Sequence, residues 1–347
     1  MRTARYFRLQ AQACGRLGSP MYESLLSRVA EDIERGGISC SVLAGHEDDP
    51  GPSALALRFA GGVHRLVLSG GAPDLARYYP SVGGEWDPEP AWRALGALLR
   101  EQPDSVRQGL DSAPQTNEVG RSAALMGGLL DIGATFRHPV RLFELGSSAG
   151  LNLRADRFCY TDDQGRSTGD EASPLVLHDV WRGRRPLPWP GLRVLERLGS
   201  DVSPVDVSSE DGRLTLRSYV WPDQRARLER PDAAFAEADR VPAQVQRQDA
   251  VSFTKELSLR PGTTTVLWHN VLWQYLTQYD RDAVTATIQQ LGAAASVDMP
   301  FAHLCMEPTR RTAESAHEFL VVLELWPTGD RRILGTSAAH GIPTVWE

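Results

Sequence analysis

The sequence predicts an α/β protein: a doubly wound, mainly parallel sheet with a C-terminal β-hairpin, preceded by a mostly helical N-terminal domain. Three observations predict it. Apolar residues recur at helical spacing up to about residue 135. From residue 136 short apolar strands alternate with helix-length segments, the pattern of parallel strands with helices on both faces. Near the C-terminus two β-rich runs flank one turn. The predicted domains are 1–135 and 136–347, with the polar, Pro- and Trp-rich stretch 156–190 as an insertion.

In the first domain, Met21, Leu25, Leu26, Val29 and Ile33 mark a helix, and 91–99 and 120–132 repeat the pattern. Residues 54–68 form another apolar segment, interrupted by Gly61 and Gly62. Turn-rich loops fall at 78–84 and 111–117. In the second domain, strands are expected at 141–145, 193–196, 243–247, 264–269 and 301–306, with a helix at 281–291. The runs 319–325 and 331–335 form the hairpin around Trp326–Asp330.

Composition narrows the function classes. The chain has 347 residues, 41% hydrophobic and 23% charged, ordinary for a globular protein with a sizeable core. Its net charge of −7 argues against nucleic acid as the default partner. Four scattered cysteines (Cys14, Cys40, Cys159, Cys305) form no C-x-x-C pair, so neither a zinc site nor a disulfide framework is expected. No apolar run suits a signal peptide or a membrane span, so a cytoplasmic location is expected, with no membrane partner.

The most informative stretch is 140–153. An apolar strand ends in Glu144, passes through Gly146, Ser148 and Gly150, and enters residues able to start a helix. Such a turn lets a ligand approach the backbone and meet unpaired N–H groups, while Glu144 can accept from a ligand's hydroxyls or cationic groups. Asp201 follows the second predicted strand, Asp249 the third, and His269-Asn270 closes the fourth. Each also has a simpler reading: an Asx turn or cap for Asp201, a helix cap for Asp249, and a backbone-bonded core imidazole for His269.

This order of elements resembles the class I S-adenosylmethionine-dependent methyltransferase fold. In that resemblance Glu144, Gly146, Ser148 and Gly150 correspond to the first motif, an acid followed by three alternating glycines, with Ser148 in place of the middle glycine. The resemblance implies that these residues hold the methionine end of the cofactor, Asp201 the ribose and Asp249 the adenine region. His269 would be the general base. Tyr79, Asn117, Glu118, Arg121 and Asn270 would contact a small-molecule substrate methylated on oxygen or nitrogen.

Nearly the whole chain also resembles the bacterial family of unknown function DUF2332. The likeness is carried by 66–75, 79–84, 115–121, 144–153 and 220–224, and within it Ser148 is no departure. It implies a fold and a shared pocket but no reaction. The alternatives are a methyltransferase-like fold turned to elimination or ring closure without S-adenosylmethionine, and a non-catalytic ligand-binding or partner subunit. A protein partner or homodimer stays open, and no metal is expected. A dehydrogenase reading fails because the residues after Gly146 do not give G-x-G-x-x-G. Asp223 is expected to cap a helix over 225–230.

Overall fold

Helices at Arg2–Arg16, Pro20–Glu34, Leu55–Leu68 and Pro88–Glu101 bury the stripes that their periodicity defines. Phe7, Leu26, Val29, Phe59, Val63 and Leu99 are fully buried in their shared core. The computed structural model describes residues 2–111 and 113–347 (Pro52 by its backbone alone), and they divide into two units. The first comprises 1–116 and 205–231; the second comprises 117–204 and 232–347.

The boundary therefore lies at 116/117, not 135. The helix Ser122–Phe136 is buried on nearly every side and goes with the second unit. The first unit also takes back 205–231, which the sequence reading had left in the α/β domain. Two of its residues explain why. Trp221 packs on the Tyr22 ring, and Asp223 accepts from Ser19 Oγ at 2.6 Å and Met21 N at 3.0 Å. Asp223 thus secures the start of helix 20–34 instead of capping its own segment. Helix 55–68 runs unbroken through Gly61 and Gly62, because a Cβ on Gly62 would sit 3.2 Å from the Gly109 backbone and only a bare backbone lets that turn approach.

The second unit holds two sheets. Its strands in chain order are β1 (Val140–Leu145), β2 (Cys159–Thr161), β3 (Ser167–Gly169), β4 (Val176–Leu177), β5 (Trp181–Gly183) and β6 (Val194–Asp201). There follow β7 (Gln244–Arg247), β8 (Thr264–Asn270), β9 (Phe301–Thr309), β10 (Glu318–Trp326), β11 (Asp330–Ser337) and β12 (Thr344–Trp346). The large sheet runs β5-β12-β11-β10-β9-β8-β1-β6-β7, and β3-β2-β4 make a small one. The expected insertion at 156–190 supplies that small sheet and, through β5, an edge of the large one.

Strands β7, β6, β1, β8 and β9 are mutually parallel, and β10 and β11 add the predicted antiparallel hairpin. Chain order reverses direction at β1, with β6 on one side and β8 on the other. That is the switch point outside which crevices open at the carboxyl ends of parallel strands.

Side chains alternate between the sheet's faces. Phe143, Leu145, Leu267 and Phe301 pack with Phe253, Val284 and Ile288 of helices Ala250–Glu256 and Gln278–Ala294. The other face carries Glu144, Trp268 and Leu304 in register, and helix 122–136 lies there, with Leu304 within 2.3 Å of where a Cβ on Gly128 would stand. Among the described residues no helix is long and apolar enough to cross a membrane.

Candidate functional site

At the carboxyl end of β1 the chain passes Gly146, Ser148 and Gly150 with φ of +65°, +54° and +67°. Ser148 thus adopts the left-handed conformation that glycine takes without strain. The backbone of a three-glycine turn is kept while one position carries a hydroxymethyl group.

The turn's amides are largely satisfied from within the chain. Ser148 N donates to Asp201 Oδ2 at 2.9 Å, Ala149 N and Leu151 N to Asn117 Oδ1 at 3.2 and 3.0 Å, and Ser147 N to Ser200 O. The expected cradle of unpaired N–H groups is therefore not formed at these positions. What the site offers is acidic.

Glu144 is 1% exposed. Its Oε1 accepts from Trp268 Nε1 at 3.1 Å and meets Asn270 Nδ2 at 3.5 Å, while its buried Oε2 has no hydrogen-bond partner. Burial, opposed by the Trp268 bond and reinforced by the charge of Asp201, pushes the carboxyl pKa up to about 8. The side-chain amide of buried Asn152 also faces Glu144 as a donor and opposes that rise, while its own Oδ1 has no partner. Asn270 Oδ1 in turn accepts from Arg121 Nη1 at 3.0 Å, and Arg121 Nε donates to Ala339 O.

Most of the expected residues therefore meet. Glu144, Asn270 and Arg121 form one hydrogen-bonded line. Asp201, Asn117, Ser148 and Gly150 build the adjoining turn. Glu118 caps a short 3-10 turn at 119–121 through Gly120 N. Arg121 and Asn117 do not share a helix face as their spacing suggested, because 117 lies in extended chain before that turn.

Three expected site residues lie apart from this line. Asp249 is exposed and accepts from Ser252 N at 2.8 Å through Oδ1, so it caps helix 250–256, the simpler of its two readings. Tyr79 is 0% exposed within the first unit's core beside His64, so it lines no entrance. His269 is 0% exposed with both ring nitrogens engaged, Nδ1 by Glu307 at 2.8 Å and Nε2 by His303 at 3.0 Å. Next to Trp268, which shares the face of Glu144, His269 points to the opposite face of the sheet, away from Glu144.

Sequence reasoning missed Trp268, Asn152 and Arg154. Arg154 braces the turn by donating to Gly150 O and Val241 O, both at 2.7 Å. Trp268 carried a usable signal, since it stands two residues before Asn270 on the same strand and so shares its face. Val271, just beyond, has φ of +49°, a strained setting for a β-branched residue, and its neighbours Leu272 N and Trp273 N are pinned by Glu307 Oε1.

The model of a family described as "Uncharacterized protein conserved in bacteria (DUF2332)" matches residues 4–346. No curated protein and no solved structure matches the chain.

Proposed function

The chain belongs to the DUF2332 family, and from the chemistry at the switch point we propose that it is a methyltransferase-like protein that binds S-adenosylmethionine and methylates oxygen or nitrogen of a small molecule. The observation that carries this reading is Glu144: a buried carboxyl at the end of the central strand with one oxygen unpartnered. A partnerless buried acceptor calls for a donor, and an ammonium is the donor that a carboxyl pushed to about pKa 8 gains most from.

The residues fit that cofactor. Glu144 Oε2 would take the amino group of the methionine end. Asp201 spends its two oxygens on one N–H each, Ser148 N and Ser203 N, and a carboxylate has about four lone-pair sites. It therefore retains acceptors for ribose hydroxyls. The strand order β7-β6-β1-β8-β9 is itself the 3-2-1-4-5 parallel arrangement of such folds. No residue is assigned to adenine.

When bound, the cofactor supplies an electrophilic methyl group, and the protein's share of the work is alignment and exclusion of water. Arg121 holds Asn270, and Asn270 closes the Glu144 side of the site. His269 lies on the opposite face of the sheet from Glu144, so no base is assigned, and a nucleophile that has to lose a proton would lose it to solvent.

The occupied amides of the turn weigh against a dinucleotide, whose pyrophosphate needs open N–H groups. They leave standing a second reading, a cationic metabolite bound at Glu144 without methyl transfer. Calorimetry with S-adenosylmethionine and with its demethylated product tests both. Micromolar binding weakened at least tenfold by Glu144→Gln is expected. The absence of heat at high micromolar concentration with folded protein removes the cofactor.

A further inference from the structure

The face of the sheet opposite Glu144 carries a second polar arrangement. His303, Cys305 and Glu307 alternate along β9, so the pleat places all three on one face. The β8–β9 register sets His269 directly across from Cys305, and the β9–β10 register sets Glu324 across from His303. The two histidines are buried and Cys305 is half-buried.

Hydrogen bonds assign the imidazole tautomers. His269 Nδ1 lies 2.8 Å from Glu307 Oε1, and His303 Nδ1 lies 2.8 Å from Glu324 Oε2. Each carboxylate accepts, so each Nδ1 carries the proton. In the neutral rings both Nε2 atoms are then bare lone pairs, and they lie 3.0 Å apart. Two lone pairs at that separation repel unless a cation stands between them. Cys305 Sγ belongs to the same group: the donor atoms of His269, His303 and Cys305 all lie within 4.8 Å of one another. Glu307 stays on the far nitrogen of His269 and holds that ring in place.

We propose that His269, His303 and Cys305 bind a zinc ion, with a water completing the coordination. Two imidazoles and a thiolate are a borderline-soft set suited to zinc. A carboxylate on the far nitrogen of each imidazole is the outer-shell partner that fixes ring orientation at zinc sites. Tetrahedral bonds of about 2.0 Å to nitrogen and about 2.3 Å to sulfur put ligand atoms about 3.3–3.6 Å apart. Capture therefore draws Cys305 Sγ inward by about 1 Å, and the thiol proton leaves to solvent as the Zn–S bond forms. The ion would lock β8 to β9 just behind Asn270 and the strained Val271. This assignment stands independently of the ligand bound at Glu144.

The test uses the full chain, stripped with chelator and titrated with Co2+ as a spectroscopic probe and then with Zn2+. One equivalent of Co2+ is expected, with thiolate-to-cobalt charge-transfer absorption that Zn2+ displaces. Cys305→Ser should abolish that absorption and weaken Zn2+ binding at least tenfold while the melting curve of the stripped protein is retained. His303→Ala should weaken binding at least a hundredfold. Because that variant can also lose the fold, Cys305→Ser carries the decision. If stripped, folded protein takes up no Co2+, or if Cys305→Ser leaves absorption and affinity unchanged, the site is not a metal site and a shared proton alone bridges the imidazoles.

Discussion

Two buried glutamates stand on opposite faces of one sheet, and their surroundings differ in a way that separates a binding group from a structural one. Glu307 Oε1 accepts from His269 Nδ1, Leu272 N and Trp273 N, at 2.8, 2.8 and 3.4 Å. Glu144 Oε1 accepts only one good bond from an indole and a long one from an amide, and the Oε2 of each carboxyl accepts none. Both carboxyls are out of water. Burial alone therefore does not mark a site; the number of donors that the fold supplies does. Glu307 uses one oxygen fully to organise the loop after β8, whereas neither oxygen of Glu144 is saturated.

The comparison is broken most severely at Glu307. Glu307→Ala leaves two backbone amides and a buried imidazole N–H without their acceptor, and such losses in a dry interior run to roughly 3–5 kcal/mol. Chemical denaturation should show that loss with little change in slope. A loss below about 1 kcal/mol would mean that the loop after β8 does not depend on this carboxylate.

At Glu144 the sign is reversed. Its folded pKa of about 8 lies above the unfolded value near 4.5, so across that window the folded state binds more protons than the unfolded one. Stability contributed by the neutral carboxyl is present below about pH 4.5 and is lost as pH rises to about 8. A drop of roughly 2–4 kcal/mol between pH 5 and 9 follows, allowing for relaxation and water entry. Glu144→Gln should flatten this profile and be the more stable protein at pH 9. A cationic ligand reverses the balance by drawing the proton off. Its binding at pH 7 should release close to one proton, read as a buffer-dependent enthalpy, and a ligand that donates only hydroxyls should release none.

Asp201 divides the site from its scaffold. Its carboxylate accepts from Ser148 N and Ser203 N, so Asp201→Ala should cost about 1–2 kcal/mol by the loss of a turn acceptor. If Asp201 also takes ribose hydroxyls, nucleoside affinity falls more than tenfold in the fraction that remains folded. Unchanged affinity in that fraction would leave Asp201 as a turn residue only.

Strands with strong apolar runs were legible: β1, β8 and the β10–β11 pair lie within a few residues of their expected bounds. Strand β6 was read as 193–196 but continues to Asp201. Arg197, Gly199 and Ser200 hide that extension, because the ladder to β1 and β7 and not apolar burial holds it. The segment 205–231 was assigned to the wrong unit because membership depends on Trp221 and Asp223 meeting residues some two hundred positions away. In the site, Glu144 and Asn270 could be picked out as polar residues at strand ends, and Asn117 and Arg121 as an unusual polar segment ahead of the sheet. The pairing of His303 and Cys305 with His269 was invisible to motif spacing. It is written in a period of two along β9 and completed only by strand register.

The smallest effect bears on the one departure from the three-glycine pattern. Ser148 holds φ of +54°, where a side chain costs about 1–2 kcal/mol relative to glycine. Ser148→Gly removes that strain but gives the unfolded chain more freedom, which offsets part of the gain. A net stabilisation of about 0.5–1 kcal/mol is expected, seen as a higher denaturant midpoint at unchanged slope. The Ser148 N bond to Asp201 needs no side chain and should survive. Ligand affinity then decides what the hydroxymethyl group is for. If glycine binds as well as or better than serine, the serine is tolerated beside the ligand. If affinity drops severalfold in a protein made more stable, the Ser148 hydroxyl contacts the ligand itself.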